Sequence, residues 1–270
     1  MHFTCPKCRG KLNIFEGGLR CDEGHSFDRA RFGYYNLLLG TSGGVHGDNK
    51  EMILARRAFL SGGFYEPLAR QIASRVLEHT APFGALLDAG AGEGYYTDII
   101  ERELFSRDGK SDVCAFDISK DAVREICKKN PRISSVVAGS YHIPAPDGEF
   151  DTLINTFSPL ALEESARVLK RGGIFIMAIP GENHLYELKS VIYDTPYKNV
   201  VADTALSGFE LLLDEPLTYK MQLENAESVK NLFMMTPYAY RTSAEGRARV
   251  GALERLECTA DFRIFVYRRI

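Results

Sequence analysis

Two pairs of metal-binding residues near the start of the chain constrain its fold most tightly. Two residues separate Cys5 from Cys8, three separate Cys21 from His25, and 12 lie between the pairs. Three thiolates and one imidazole make a closed tetrahedral set, typical of structural zinc, with no open position for catalysis. A block of about 35 residues also buries too little apolar surface to fold without such a metal. The spacing therefore predicts a structural zinc site, against the alternative of scattered thiols and a surface histidine.

Composition sets the protein class. The chain has 270 residues, 45% hydrophobic and 26% charged, as in ordinary globular proteins of one large domain or a domain plus a small module. We see no apolar run of the ~20 residues that a membrane span needs, and no apolar segment of a secretory signal behind the first residues. We therefore expect a cytoplasmic protein without a membrane partner, in which cysteines stay reduced and serve as metal ligands rather than disulfides.

The charge distribution allows a local contact with nucleic acid. The net charge of −3 argues against a uniformly basic surface. Residues 1–60 nevertheless hold nine basic against six acidic side chains, and residues 241–270 hold seven against four. Both ends of the chain are thus locally basic, which permits an RNA footprint without establishing one.

From about residue 50 the chain alternates helical patterns with short apolar runs. This rhythm predicts an α/β fold with a doubly wound, mostly parallel, seven-stranded sheet covered by helices on both faces. The predicted strands cover residues 85–88, 112–116, 133–138, 151–156, 174–179, 209–213, 218–223 and 262–267. The predicted helices cover residues 64–79, 95–105, 119–129, 160–170, 182–193 and 225–235.

The same patterns divide the chain into three parts. Residues 1–36 form the predicted zinc-binding domain, and residues 37–60 form a linker and connecting helix. The linker includes the Gly- and Ser-rich stretch 40–49, a composition typical of connecting segments. Residues 61–270 form the predicted α/β domain.

A glycine-rich loop follows the strand predicted at 85–88. Asp88, Gly90, Gly92 and Gly94 alternate with other residues, and a helical pattern begins directly after them at Tyr95. Glycines here let the backbone approach a ligand at the N-terminus of a helix. The dinucleotide-binding fingerprint G-x-G-x-x-G would require glycine at position 95, where this chain has tyrosine. The sequence therefore argues against a dinucleotide site. The pattern D-x-G-x-G-x-G instead resembles the S-adenosylmethionine loop of class I methyltransferases.

The next predicted strand ends in an acidic residue. Asp117 lies 25 residues after Gly92, and a carboxylate there can accept hydrogen bonds from both hydroxyls of a ribose. The spacing of loop, strand and acid favours a cofactor site. The alternative is a tight turn followed by an exposed aspartate.

Several further motifs resemble one family, the large-subunit (23S) rRNA (guanine-N1)-methyltransferases. The zinc block and the segment with ARRAFL and FYEPL are the most specific, because generic methyltransferases have neither. The motifs, in chain order, are CPKC, CDEGH, FGYYNLLL, ARRAFLSGGFYEPL, LLDAGAGEGYYT, IPGENHLYELK and MMTPYAYR. The resemblance covers nearly the whole chain. It implies a class I S-adenosylmethionine-dependent methyltransferase domain behind a zinc ribbon, and methylation of one guanine in an rRNA hairpin.

The resemblance also assigns cofactor contacts. Tyr65 and His184 match family positions that line S-adenosylmethionine, and Gly92 and Glu93 match the loop contact. Taken by themselves, Tyr65 could pack a helix on the sheet and His184 could cap a helix. The sequence does not identify a general base, so the catalytic residues are unknown.

Other features leave alternatives open. Arg56 and Arg57 could bind phosphate or form a solvated helix face. Asn155 could contact the target base or only cap its strand. A homodimer is one hypothesis for the oligomeric state.

Two rival functions also remain. One is a small-molecule methyltransferase in which the zinc block acts as a gate. The other is a non-enzymatic binder with a vestigial glycine loop, which the intact set of Asp88, Gly90, Gly92 and Asp117 argues against.

Overall fold

A computed structural model describes residues 2–39, 48–201 and 204–270. The N-terminal block is a three-stranded antiparallel sheet of β1 (Leu12–Phe15), β2 (Gly18–Cys21) and β3 (Ser26–Asp28). The short strand β4 (Tyr35–Asn36) follows, but it pairs in parallel with a strand of the large sheet. Most of the linker predicted at 40–49 lies outside the described residues.

The large sheet has eight strands in the order β10-β11-β9-β8-β5-β6-β7-β4. Its strands from β4 to β9 are parallel, and β11 and β10 add an antiparallel edge. The remaining bounds are β5 (Ala85–Ala89), β6 (Asp112–Asp117), β7 (Ser134–Val137), β8 (Phe150–Thr156), β9 (Leu169–Pro180), β10 (Phe209–Leu223) and β11 (Leu256–Arg269). The predicted α/β class is therefore confirmed. The sheet has one strand more than the predicted seven, because β4 joins it, and a strand of two residues is too short to be predicted from a sequence pattern.

Helices cover the sheet between these strands. Four of them begin with a side-chain cap from Asn49, Ser119, Asn225 or Ser243, which accepts a backbone N–H of the first turn. Their bounds are α1 (Lys50–Ser61), α2 (Glu66–His79), α3 (Tyr95–Asp108), α4 (Lys120–Lys129), α5 (Leu162–Val168), α6 (Tyr186–Ile192), α7 (Ala226–Met234), α8 (Tyr238–Arg241) and α9 (Ala244–Gly251). Within the described ranges, no helix combines the length and apolar character needed to cross a bilayer.

One correction concerns the edge of the sheet. The strands predicted separately at 209–213 and 218–223 form the single strand β10, which contains Pro216. Proline cannot donate a ladder hydrogen bond, so it indicates a break in a central strand. Because β10 is the outermost strand, it tolerates the proline.

The N-terminal block packs directly on the large sheet. Its residues Phe3, Leu12 and Leu19 share one buried apolar cluster with Ile143 and Phe150. The backbone N–H of Thr4 donates to the carbonyl of Pro144 at 2.7 Å. Strand β4, which pairs with β7, also connects the block to the edge of the sheet. The domain boundary at residue 36 stays a prediction.

Candidate active site and zinc centre

A cavity of about 970 Å³ opens at the carboxyl ends of β5, β6 and β8. Open α/β sheets bind their ligands at this edge, where the strand order reverses. Helix α1, the segment 235–238 and the residues that precede α2 and α6 line its other sides. The cavity therefore lies where the sequence predicts the cofactor.

The glycine loop lines this cavity in a left-handed backbone conformation. Gly90 has φ +81, and a Cβ atom there would lie 2.0 Å from the hydroxyl of Ser158. The N–H groups of Gly90 and Ala91 both donate to the carbonyl of Phe116, at 3.0 and 2.9 Å. Only glycine adopts this conformation without strain and leaves room for Ser158. Gly94, also left-handed with φ +78, begins α3.

Two aspartates support the loop, the buried Asp88 and the partly buried Asp117. Asp88 accepts the hydroxyl of Thr97 at 2.5 Å, and burial raises the pKa of Asp88 to about 7. Asp117 accepts the backbone N–H of Gly92 at 2.9 Å and that of Ser119 at 2.8 Å. Burial also raises the pKa of Asp117. Each carboxylate oxygen of Asp117 has a second lone pair, and the residue lines the cavity, so its carboxylate can accept further hydrogen bonds from a ligand there.

Two buried polar atoms at the start of α3 lack a protein partner among the described residues. They are an oxygen of Glu93 and the hydroxyl of Tyr96, and both residues line the cavity. Burial raises the pKa of Glu93, and the positive charge of Arg56 opposes that shift. Buried polar atoms normally have hydrogen-bond partners. Two unpaired polar atoms in residues that line a cavity therefore fit a site that a polar ligand completes.

Helix α1 contributes a cation to this side of the cavity. Arg56 pairs with Asp48 and donates to the carbonyl of Met235 at 3.4 Å. Arg57, the next residue, is exposed and pairs with Glu125. The two arginines therefore have different surroundings, and only Arg56 lines the cavity.

A hydrogen-bond chain joins Tyr65 to His184. The backbone N–H of Asp261 donates to Nδ1 of His184 at 3.2 Å, and Nε2 lies 3.1 Å from the Tyr65 hydroxyl. Burial lowers the pKa of His184 to about 3, so its ring is neutral at physiological pH. A neutral ring that accepts at Nδ1 must carry its hydrogen on Nε2. His184 therefore donates to Tyr65, whose own hydroxyl hydrogen is available to an acceptor in the cavity.

The four predicted metal ligands converge at the N-terminal sheet. The sulfurs of Cys5, Cys8 and Cys21 and a ring nitrogen of His25 all lie within 4.8 Å of one another. Cys8 and Cys21 are 3.6 Å apart, and Nδ1 of His25 lies 3.6 Å from Cys5 and 3.4 Å from Cys21. A tetrahedral zinc ion with bonds of about 2.3 Å to sulfur separates its ligands by roughly 3.8 Å. The donor set and its spacing therefore fit zinc.

The structure also shows site residues that sequence reasoning missed. Asp48, assigned to the linker, lines the cavity beside Arg56. Phe157 and Tyr96 line it as well, although their strand and helix were both predicted. By contrast, Asn155 donates to the carbonyl of Pro159 at 3.4 Å, inside its own turn. Aromatic residues at these two places, Tyr96 beside the glycine loop and Phe157 directly after β8, were the sequence signal that could have identified them.

Comparison with known proteins identifies similar sequences for both parts of the chain. Residues 3–39 match the zinc-ribbon family described as "RlmA, N-terminal". Residues 87–177 match the family described as "Methyltransferase domain". The first match contains all four clustered ligands, and the second begins within β5, just before the glycine loop.

Relatives resemble the chain over nearly its whole length. "Putative 23S rRNA (guanine-N(1)-)-methyltransferase" of Micromonospora griseorubida is 34% identical over all of this chain and 98% of its own. "23S rRNA (guanine(748)-N(1))-methyltransferase" of Streptomyces fradiae is 30% identical over 92% of this chain and 89% of its own. A Bacillus subtilis relative, YxjB, is 29% identical over 98% of this chain and 96% of its own.

Proposed function

Because this chain belongs to the 23S rRNA (guanine-N1)-methyltransferase family, we propose that it transfers a methyl group from S-adenosylmethionine to N1 of a guanine in large-subunit rRNA. The observation that carries this proposal is the full-length similarity, which joins a zinc ribbon and a methyltransferase domain in one chain. The cavity supplies the physical support, because it combines a glycine loop, a buried acid and unpaired polar atoms.

We propose specific cofactor contacts in this cavity. The backbone of Gly90 and Gly92 would hold the methionine part, and the carboxylate of Asp117 would accept the ribose hydroxyls. Glu93 and the hydroxyl of Tyr65 would serve its polar groups, because both line the cavity with hydrogen-bonding capacity to spare. S-adenosylmethionine supplies an activated methyl group, so the protein mainly has to align it with the nucleophile.

His184 acts through Tyr65 in this scheme. Its two ring nitrogens are engaged by the backbone of Asp261 and by Tyr65, and its low pKa keeps it neutral. It therefore orients the tyrosine hydroxyl and is unsuited to take up the N1 proton of guanine, which must leave during the reaction. The general base stays unassigned.

The zinc centre is structural. Cys5, Cys8, Cys21 and His25 would complete the coordination of one ion, and four protein ligands leave no position for a substrate. The N-terminal block packs on the large sheet through apolar contacts that a folded ribbon provides. We therefore propose that zinc maintains a surface for RNA next to the catalytic domain.

The form of the RNA is a further part of the proposal. A guanine in a hairpin loop is unstacked at little cost and presents its Watson–Crick edge, as N1 methylation requires. The locally basic ends of the chain suit the phosphate backbone of such a hairpin. A homodimer stays a prediction.

The alternative with a small-molecule substrate is not favoured. It requires the zinc block to act as a gate over the active site. Residues 2–36 are all described, and none of them lines the cavity, whose lining begins at Leu37. A zinc block that gates the active site would have to contact the cavity with its own residues, and residues 2–36 do not line it.

The test is methyl transfer from labelled S-adenosylmethionine to unmodified 23S rRNA, followed by mass mapping of the modified nucleotide. We expect label on N1 of a single guanine, and none when the RNA has already been modified at that position. Label on another base or another position would refute guanine-N1 specificity. Absence of label on rRNA, with cofactor binding intact, would refute the rRNA substrate.

A further inference from the structure

Phe157 has a backbone conformation that is unfavourable for its residue type. It follows β8 directly and has φ +58, in the left-handed region that favours glycine. A side chain there costs roughly 1–2 kcal/mol relative to the ordinary regions. Glycine or asparagine would relieve this strain. The position therefore retains an aromatic ring at an energetic disadvantage.

The surroundings hold the backbone in this conformation. The N–H of Phe157 donates to the carbonyl of Ala178 at 3.1 Å, which continues the pairing of β8 with β9. The next residue, Ser158, packs against Gly90 of the loop. The chain must therefore turn sharply at residue 157 between two fixed contacts, and this turn directs the ring into the cavity that it lines.

The ring of Phe157 is only partly covered. Its centroid lies 5.6 Å from that of Phe262 and between 6.3 and 6.4 Å from those of Tyr65, Tyr96 and His184. These neighbours are largely buried, yet Phe157 itself is 40% exposed. The aromatic cluster thus supports one side of the ring, and its remaining surface faces the cavity.

From this geometry we infer that Phe157 is the stacking surface for the guanine that receives the methyl group. The inference rests on the proposed function and specifies how the same site holds its RNA base. A base removed from an RNA loop loses its stacking neighbours, and aromatic side chains commonly replace them. The cavity volume lies near the upper end of the range for one small ligand, which leaves room for a base beside the cofactor.

Nearby polar groups suit the edge of a stacked guanine. Tyr96 lines the cavity, and its buried hydroxyl has no partner among the described residues. Its ring is 6.3 Å from Phe157 and nearly perpendicular to it. A hydroxyl can donate to the guanine carbonyl or accept from its amino group. Stacking on Phe157 with polar recognition from the side is a common arrangement for reading a single base.

The experiment compares three variants with the wild-type chain on unmodified 23S rRNA. Phe157→Gly removes the ring but permits the left-handed backbone, and Phe157→Tyr keeps an aromatic ring. Phe83→Gly is the matched control, because Phe83 also has φ +61 and is 65% exposed. Phe83 lies just before β5, at the amino-terminal end of the strand, whereas the cavity lies at the carboxyl end.

We expect Phe157→Gly to lower kcat/KM for RNA by about 5- to 150-fold, which is the range for losing one base–aromatic stack. Its affinity for S-adenosylmethionine, measured by titration calorimetry, should stay unchanged. Phe157→Tyr should restore most of the activity, and Phe83→Gly should behave like the wild type.

Three results would overturn the inference while leaving the proposed function intact. One is an active wild type whose Phe157→Gly variant has the same kcat/KM for RNA. Another is a loss of S-adenosylmethionine affinity in Phe157→Gly as large as its loss of kcat/KM for RNA, which would indicate a packing role. The third is an equal loss in Phe83→Gly. An inactive wild type would instead contradict the proposed function itself, so the two failures are distinguishable.

Discussion

Replacing Gly90 by alanine tests the close contact between the glycine loop and the end of β8. Alanine at φ +81 costs roughly 1–2 kcal/mol in backbone strain. Its Cβ would also lie 2.0 Å from the hydroxyl oxygen and 2.5 Å from the Cβ of Ser158. Overpacking of this kind costs about 1–3 kcal/mol. We therefore expect Gly90→Ala to lower the free energy of unfolding by about 2–5 kcal/mol, with weaker cofactor binding.

Urea unfolding and titration calorimetry with S-adenosylmethionine measure the two effects. Gly109→Ala is the matched control, because Gly109 has φ +70 but nothing lies within 4 Å of its added Cβ. It should lose only the strain contribution and bind the cofactor normally. Ser158→Gly in the Gly90→Ala chain removes both clashing atoms and leaves the Ser158 Cα at 3.9 Å.

The double variant Gly90→Ala with Ser158→Gly should therefore recover the steric part of the loss, about 1–3 kcal/mol. The reasoning is refuted if Gly90→Ala loses no more stability than Gly109→Ala. It is also refuted if Ser158→Gly brings no recovery, because the steric contact would then not exist.

Three further predictions concern the metal, the ribose contact and a buried histidine. Cys8→Ser should lose the zinc that elemental analysis finds in the wild type, and it should lose RNA affinity before it loses cofactor affinity. Cys127 lies in α4 beside Ser135, outside the ligand cluster, so Cys127→Ser should retain one ion per chain. Asp117→Ala should weaken S-adenosylmethionine binding about 10- to 100-fold in calorimetry, as expected for lost charged hydrogen bonds; unchanged affinity would contradict the ribose assignment. His184 has its folded pKa lowered to about 3 by burial, so its stabilising contribution is present above its unfolded pKa and falls as pH drops. Between pH 7 and 5 this amounts to about 2 kcal/mol, and His184→Gln should flatten the measured pH dependence by that much; parallel curves would show that folding does not lower the pKa of His184.

The parts of the fold that follow local patterns could be predicted from the sequence. The apolar run at 85–88 indicates a strand that is buried on both faces, and β5 is buried along its whole length. The glycines after it predict a ligand loop, which the structure places at the cavity. The motif resemblance and the full-length relatives agree on the family.

Features that depend on a distant partner could not be predicted. β4 has only two residues and exists as a strand because it pairs with Val136 and Val137. Asp48 lies in the Gly- and Ser-rich stretch 40–49, and only the tertiary structure brings it to the cavity, where it pairs with Arg56. Whether Pro216 interrupts its strand depends on which strand lies at the edge of the sheet, and that order is a property of the whole fold.

The sequence alone determined the donor set for zinc, the α/β class and the position of the glycine loop. Each depends on residue types at short spacing, which set local geometry whatever the rest of the chain does. Only the tertiary structure decided that His184 donates to Tyr65 across 119 residues, and that Ser158 packs against Gly90. It also decided that Phe157 has a strained backbone and lines the cavity. Those contacts arise when the sheet and its helices pack together, because packing brings side chains from separate elements within a few ångströms.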